Sequence, residues 1–258
     1  MSAETSLTYR VLTSLGRPGF LQECDAALPD AWPVIANQNP TCARHWPALM
    51  GAFPEYQFAL QNLATDAFLA VGNSLPLRWE GDFAGLPDEG WDWALPQGLA
   101  DHAAGRAPNV LCALSITVPV HLRGKGVSYQ ALRAMCDLAR AHGLPDLIVP
   151  ARPTLKHRYP LTPIARYVTW TTEEGLPFDP WLRAHVRAGG RVLHPCSRSE
   201  TTVAPLADWE KWTGMRFPES GEYILPDGMT PLAIDTARGV GTYVEPNVWV
   251  HHDLRGTG

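Results

Sequence analysis

Several things are missing from this 258-residue chain, and each absence closes a class of explanation. There is no C-x-x-C pair among the five cysteines (Cys24, Cys42, Cys112, Cys136, Cys196), so neither a zinc site nor a disulfide framework is suggested. Basic residues are not in excess: 21 Lys and Arg face 26 Asp and Glu, and a formal net charge of −5 argues against a nucleic-acid surface. No apolar window reaches the length of a membrane span, and the start, Met-Ser-Ala-Glu-Thr-Ser, lacks a basic region followed by an apolar one. A cytoplasmic setting is the expectation. Internal repeats and low-complexity linkers are also missing, and metal is not expected. Prolines (24) and tryptophans (10) are abundant instead, which favours ordered irregular connections over flexible ones.

The stretch with most chemical content is Val118-Pro-Val-His-Leu-Arg-Gly-Lys-Gly-Val-Ser128. It follows an apolar, partly β-branched run over 110–118 and precedes a helical pattern in which Val127, Ala131, Met135 and Leu138 recur. A strand, a glycine turn and a helix place unpaired backbone N–H groups and the positive helix end at one point, where an anion is stabilised. Gly124 and Gly126 keep that point free of side chains, and Arg123 and Lys125 add positive charge. A P-loop is excluded, because Pro119 stands where its first glycine belongs and Gly126 where it needs Ser or Thr. A dinucleotide fingerprint fails at Tyr129. An ordinary surface turn with two cations stays open as the plain alternative.

Along the chain, Thr8–Leu12 reads as a strand after a loose start over residues 1–8. Helical pieces broken by prolines follow over 18–50, with Trp32, Val34, Ile35, Trp46, Leu49 and Met50 expected on buried faces. Phe58–Leu60 and Phe68–Val71 read as a hairpin turning near Asp66, extended over 73–79. Residues 80–108 read mostly as a long insertion, with a short helix permitted after Trp91 and Trp93. The helix after Gly126 closes at Gly143, and Asp146–Val149 forms a strand ended by Pro150. A second long connection covers 150–178. Asp179-Pro180 opens a helix as cap and first residue, ending at Gly189-Gly190. Arg191–His194 is a strand, extended after an interruption by Thr201–Val203; Asp208–Trp212 is a short helix; and 223–225, 231–234 and 248–250 are strand-like. This sums to one α+β domain, a mixed and largely antiparallel sheet with helices on both faces.

The element order, together with Val118-Pro119, His121-Leu-Arg-Gly-Lys-Gly126 and the helix opened by Asp179-Pro-Trp-Leu-Arg-Ala-His-Val-Arg-Ala-Gly189, resembles the GNAT superfamily of acyl-CoA-dependent N-acyltransferases. The first segment is similar to the family's Q/R-x-x-G-x-G/A pyrophosphate turn, the second to its later helix N-x-x-A-x-x-x-Y-x-x-x-G-F. The resemblance is firmest over 110–195. It implies a CoA pantetheine lying along the strand at 112–118 and a pyrophosphate on the turn, with Thr117, Val118, Val120, Arg123, Gly124, Lys125, Gly126, Val127 and Ser128 as cosubstrate-binding residues. Acetyl-CoA or another acyl-CoA is the implied cosubstrate, and the implied acceptor is the amine of a small molecule or peptide. A homodimer is left open.

His121 stands at the Q/R position, His185 at the Tyr position, and Gly190 at the usual Phe position. His185 is then the positional candidate for the acid that protonates the departing thiolate, with Tyr159 and Tyr167 as alternatives. Glu80 and Asp82 are the candidates for the base. A backbone N–H near Thr117 or Val118 would serve the developing oxyanion. Trp79, Trp91 and Trp93 are expected to line an acceptor pocket or to pack the core, the latter preferred for Trp79. His251 and His252, as neighbours on an extended segment, point opposite ways and are expected in a solvent-exposed tail rather than around a metal. A second function stays open on His121 and His185, a regulatory module that binds acyl-CoA without transferring the acyl group.

Overall fold

A computed structural model describes residues 8–29 and 31–256 of the chain. Most of the loose start expected over residues 1–8 lies outside the described residues. Nine strands, β1 (Tyr9–Thr13), β2 (Gln57–Asn62), β3 (Phe68–Leu77), β4 (Val110–Thr117), β5 (Asp146–Ala151), β6 (Arg191–Pro205), β7 (Gly221–Tyr223), β8 (Leu232–Asp235) and β9 (Val240–Asp253), form one sheet. Its order is β1-β2-β3-β4-β5-β9-β8-β7, with β6 on the other edge of β9. Only β4 and β5 run parallel. Among the described residues seven α-helices accompany it: α1 (Phe20–Ala27), α2 (Pro40–Ala52), α3 (Gly90–Ala103), α4 (Val127–Ala141), α5 (Ile164–Tyr167), α6 (Pro180–Arg187) and α7 (Leu206–Thr213).

Alternation along β9 shows which helices cover which face. Trp249 packs edge-on against Trp93 of α3, whereas His252, of opposite parity, meets His185 of α6. Helix α2 lies with α3, through Trp46 stacked on Trp91, and α4 touches α6 on the other side. Helices therefore cover both faces, as the sequence indicates. Helix α4 buries one stripe, Val127, Ala131, Leu132, Ala134, Met135, Cys136 and Ala139, onto the sheet. Cys112 and Cys136 are buried, as their apolar settings imply.

Some local expectations need correcting. Residues 90–103 form a full α-helix rather than loop. Gly90, Pro96 and Gly98 hide it from propensity, but Gly98 is there for contact: a Cβ would meet a methyl of Leu75 at 2.2 Å, so the residue lets α3 rest directly on β3. Trp32 (37 % exposed) and Val34 (55 %) stay at the surface rather than in the core. Pro150 does not end β5, which runs to Ala151 opposite β9. Residues 251 and 252 are no exposed tail: they lie buried in β9, between β5 and β6. The break foreseen in β6 is present as two register shifts within one long strand.

The connection 152–178 keeps its shape without long helices. Asp179 caps α6 by accepting from the N–H groups of Trp181 and Leu182, and its second oxygen accepts from Leu155 N–H and the Tyr167 hydroxyl, each at 2.9 Å. Tyr159, Tyr167, Trp170 and Phe178 pack ring against ring beside it. Lys156, fully buried, donates to the carbonyls of Tyr159 and Met229 and so ties the connection to the C-terminal segment. Asp179→Ala should therefore cost roughly 2–4 kcal/mol, more than an isolated cap, because buried donors on two segments lose their acceptor. Thermal melts would read the loss, and faster proteolysis within 152–178 should accompany it; a drop no larger than an exposed cap gives would contradict this role for Asp179.

Candidate active site

Strands β4 and β5 pair only at Leu111–Leu147 and Cys112–Ile148. From Ala113 onward the β5-facing edge of β4 has no strand partner among the described residues. A bulge accompanies the parting: β3 pairs Asn73 with Ser115 and then Ser74 with Ala113, leaving Leu114 as the extra residue. Bulges bend and twist a strand, which directs β4 away from β5. The Leu114 carbonyl is not orphaned, because the indole N–H of Trp91 donates to it at 3.0 Å. Ser115 bonds Asn73, which in turn bonds Gln57, so a polar chain crosses the sheet at the same level.

Beyond β4 the chain makes a short 3-10 turn at Val120–Leu122 and then the glycine turn. Gly124 (φ 75°) and Gly126 (φ 76°) both adopt left-handed backbone, and nothing lies within 4 Å of a Cβ placed at either. The N–H groups of Gly124 to Ser128 have no backbone acceptor among the described residues. They form an open concavity at the start of α4, an anion nest in geometry as well as in charge. Arg123 lies beside it, its guanidinium held by the Ala31 carbonyl at 2.9 Å. Lys125 and His121 are exposed at its rim, Thr117 and Val118 are buried at its base, and Val120 is exposed.

The expected acid and base are distributed otherwise. His185 is fully buried; its Nδ1 is 2.9 Å from Nε2 of His252, and its own Nε2 has no partner. Burial, and then the neighbouring His252, push the His185 pKa well below the usual imidazole range. Burial, and then His251, bring His252 down to about 4. The pair is neutral, sharing one N–H between two rings. It sits beside Leu147, the partner of His252 in β5, at the closed end of the parting strands. Gly190 is required there, since a Cβ would meet the His252 ring at 2.6 Å. Tyr159 is half-buried in the aromatic cluster, and Tyr167 gives its hydroxyl to Asp179, which with burial raises its pKa. Glu80 is exposed and pairs with Arg78; Asp82 is exposed and caps the turn at Phe83–Gly85. Neither carboxylate is drawn to the β4 edge. Trp79, Trp91 and Trp93 pack into the core around α3.

The buried acids are others. Glu245 of β9 is buried, and the half-buried Asp92 of α3 and Glu200 of β6 gather with it on the face covered by α3, with Arg152 directly after β5. Arg152 binds Glu245 through two hydrogen bonds, 2.5 and 3.2 Å, and the Tyr243 hydroxyl donates to Glu245 at 3.0 Å. Asp92 accepts from Asn39 and from Thr201 N–H. Glu200 has its pKa pushed well up, chiefly by burial and then by Glu245 opposite. These positions lay at the margins of strand segments legible in the sequence. The available signal was the pattern Tyr243-Val-Glu-Pro-Asn-Val-Trp249, an acid and an amide on the inward face of an otherwise apolar strand. Among the described residues no cluster of three or more metal-ligating side chains occurs, and no helix is long and apolar enough to cross a membrane.

The parting strands, the bulge and the glycine turn follow one another along β4 and into α4. An arginine N-acetyltransferase, avaD, of Aspergillus versicolor is 30 % identical over 95 % of this chain and 94 % of its own length. The chain belongs to the GNAT superfamily. It is an acyl-CoA-dependent N-acyltransferase, with an acyl-CoA as cosubstrate and an amine as acceptor. Among solved structures, the loading GNATL domain of CurA from Lyngbya majuscula aligns over 96 % of this chain and 98 % of its own, with a TM-score of 0.61 at 15 % identity. A GphF GNAT-like decarboxylase in complex with isobutyryl-CoA aligns over 95 % and 100 %, with a TM-score of 0.54 at 17 % identity. At such identities these two speak for the fold alone. No family model matches the sequence.

The histidine pair gives this GNAT protein an acid sensitivity. Both rings bind protons less readily when folded than when unfolded. Between about pH 6.5 and 4 the unfolded chain therefore holds more protons, and stability falls as pH falls. Above 6.5 the pair contributes no pH dependence. For His252 alone the loss amounts to about 3 kcal/mol once both values are passed. Thermal melts across this range should decline less steeply in His252→Gln than in the parent; parallel curves would contradict the assignment.

Proposed function

We propose that this protein transfers an acetyl group from acetyl-CoA to the amine of a small cationic amino acid of the arginine type. The observation carrying this reading is the full-length similarity to an arginine N-acetyltransferase, set on a chain that retains the open β4 edge and an empty-sided glycine nest. The thioester supplies an activated acyl group; the chain's own residues bind and orient it.

The unpaired edge of β4 from Ala113 to Thr117 offers N–H and C=O groups to a pantetheine arm in the way a strand offers them to another strand. Backbone N–H groups of Gly124 to Ser128, flanked by Arg123 and Lys125, take the pyrophosphate. Because these contacts come from backbone, no side chain at 121 is needed to complete them, and Thr117, Val118 and Val120 serve by placing the chain. The bulge at Leu114 turns backbone groups out of sheet register beside the reacting carbonyl, where a fixed N–H stabilises developing negative charge. Trp91 holds the bulge in place. His185 is a packing group in this reading, since a neutral ring bonded to His252 in a dry interior has no proton to give outward. Tyr159 flanks the connection that borders the site. Glu80, paired to Arg78 in solvent, stands outside it.

Gly126→Asp should abolish acyl-CoA binding in calorimetry. It sets a carboxylate in the nest and forces left-handed backbone on a residue with a Cβ, a strain of about 1–2 kcal/mol. Unchanged affinity would remove the nest from the cosubstrate site. For the reaction itself, free thiol should appear from acetyl-CoA when L-arginine is added, with a mass gain of one acetyl group on the amino acid. Thiol release with neutral amines but none with arginine or lysine would overturn the acceptor assignment.

A further inference from the structure

Resting on the cationic-acceptor reading above, we propose that Glu200, opposite Glu245 on the β6–β9 pair, binds the side-chain cation of the acceptor, a guanidinium or ammonium. The acids there outnumber the bases. Asp92, Glu200 and Glu245 share one side of the sheet, and the nearby Arg152 is committed by two hydrogen bonds to Glu245. Glu245 is further supplied by Tyr243, and Asp92 by Asn39 and Thr201. Glu200 is the carboxylate left without a cation of its own, its pKa raised by burial and by its neighbours.

A second feature points to a ligand independently of the acids. Asn247 is 1 % exposed and follows Glu245 on the same strand face, its amide touching Glu200. Its Nδ2 donates to Ser199 Oγ at 2.8 Å, yet its Oδ1 is buried with no hydrogen-bond partner. A buried amide oxygen without a donor, beside a carboxylate without a cation, asks for several N–H groups in a small space, which a guanidinium presents in a fixed plane. A narrow crevice beside Glu200 is lined by Ile35, Ala36, Asn39, Thr202, Tyr243 and Glu245.

The position suits a two-ended acceptor. Ser199, adjacent to Glu200, accepts from the Trp91 N–H, and the Trp91 indole donates to the Leu114 carbonyl at the bulge. Trp91 thus links the residue next to Glu200, through its backbone N–H, to the bulge on β4, through its indole. An amino acid held by its side-chain cation at Glu200 extends its amine toward β4.

The test uses purified full-length protein, acetyl-CoA, and two nearly isosteric acceptors, cationic L-arginine and neutral L-citrulline. The parent should prefer arginine in kcat/KM. Glu200→Gln should lose roughly 10- to 100-fold of that preference, mainly as a raised arginine KM, the size expected for a charge-assisted contact. Stabilisation of the fold by CoA should be the same in variant and parent, since the nest is elsewhere; Glu200→Asp, which keeps the charge, should retain more of the preference and serves if the amide variant folds poorly. A parent that prefers arginine and a Glu200→Gln variant that prefers it equally would overturn the role of Glu200 while leaving the acceptor class standing. A parent that turns over citrulline as well as arginine would overturn the acceptor class and the pocket with it.

Discussion

Two parallel strands that begin as partners and then separate are the constraint on which the rest of this molecule depends. Strand β4 is bound along its other edge to β3 through Leu77–Val71, and β5 is bound to β9 from Asp146 to Ala151. Each is therefore held by an antiparallel neighbour that cannot follow the other strand. The bulge at Leu114 adds local twist, and the pair opens after Cys112–Ile148. Unpaired backbone in a sheet interior is costly unless something completes it. The open edge is thus both the weakest-satisfied part of the sheet and the part that an extended ligand fits.

The strand, glycine turn and helix proposed for the acyl-CoA were legible because their physics is local. Left-handed backbone at two glycines, a following helix and a preceding strand all lie within about twenty residues, and each leaves a compositional trace. The same holds for the cap at Asp179-Pro180 and the stops at Gly143 and Gly214. Helix α3 was obscured because its glycines answer to contacts made elsewhere: Gly98 is set by Leu75, and Gly90 by Ser199, whose hydroxyl would lie 2.4 Å from a Cβ. Propensity works against that helix and tertiary packing overrides it.

The acceptor half was illegible for the opposite reason. Glu200 and Glu245 are 45 positions apart and meet only through the register of β6 on β9, while Arg152 joins them from the end of β5. Register between distant strands is not written in either strand alone. The loop acids Glu80 and Asp82 were the natural candidates in sequence because they follow the hairpin, but Glu80 pairs with Arg78 in solvent and Asp82 caps a turn. Glu200 has its pKa raised chiefly by burial, the kind of perturbation that marks a candidate site.

The two histidines at family positions look in the sequence like departures that weaken the chemistry, and the structure gives each a different weight. His121 is exposed at the rim of a nest built from backbone N–H groups, so the identity of its side chain is nearly free. His185 is locked between Trp181 and His252 under α6, and Gly190 is small because that contact leaves no room for a Cβ. Histidine at 185, histidine at 252 and glycine at 190 are thus parts of one packing arrangement. A buried ring fitted this closely to its neighbours reports how a helix is seated on its sheet. His185 therefore serves the seating of α6, while the open edge of β4 presents backbone groups that none of these three residues supplies.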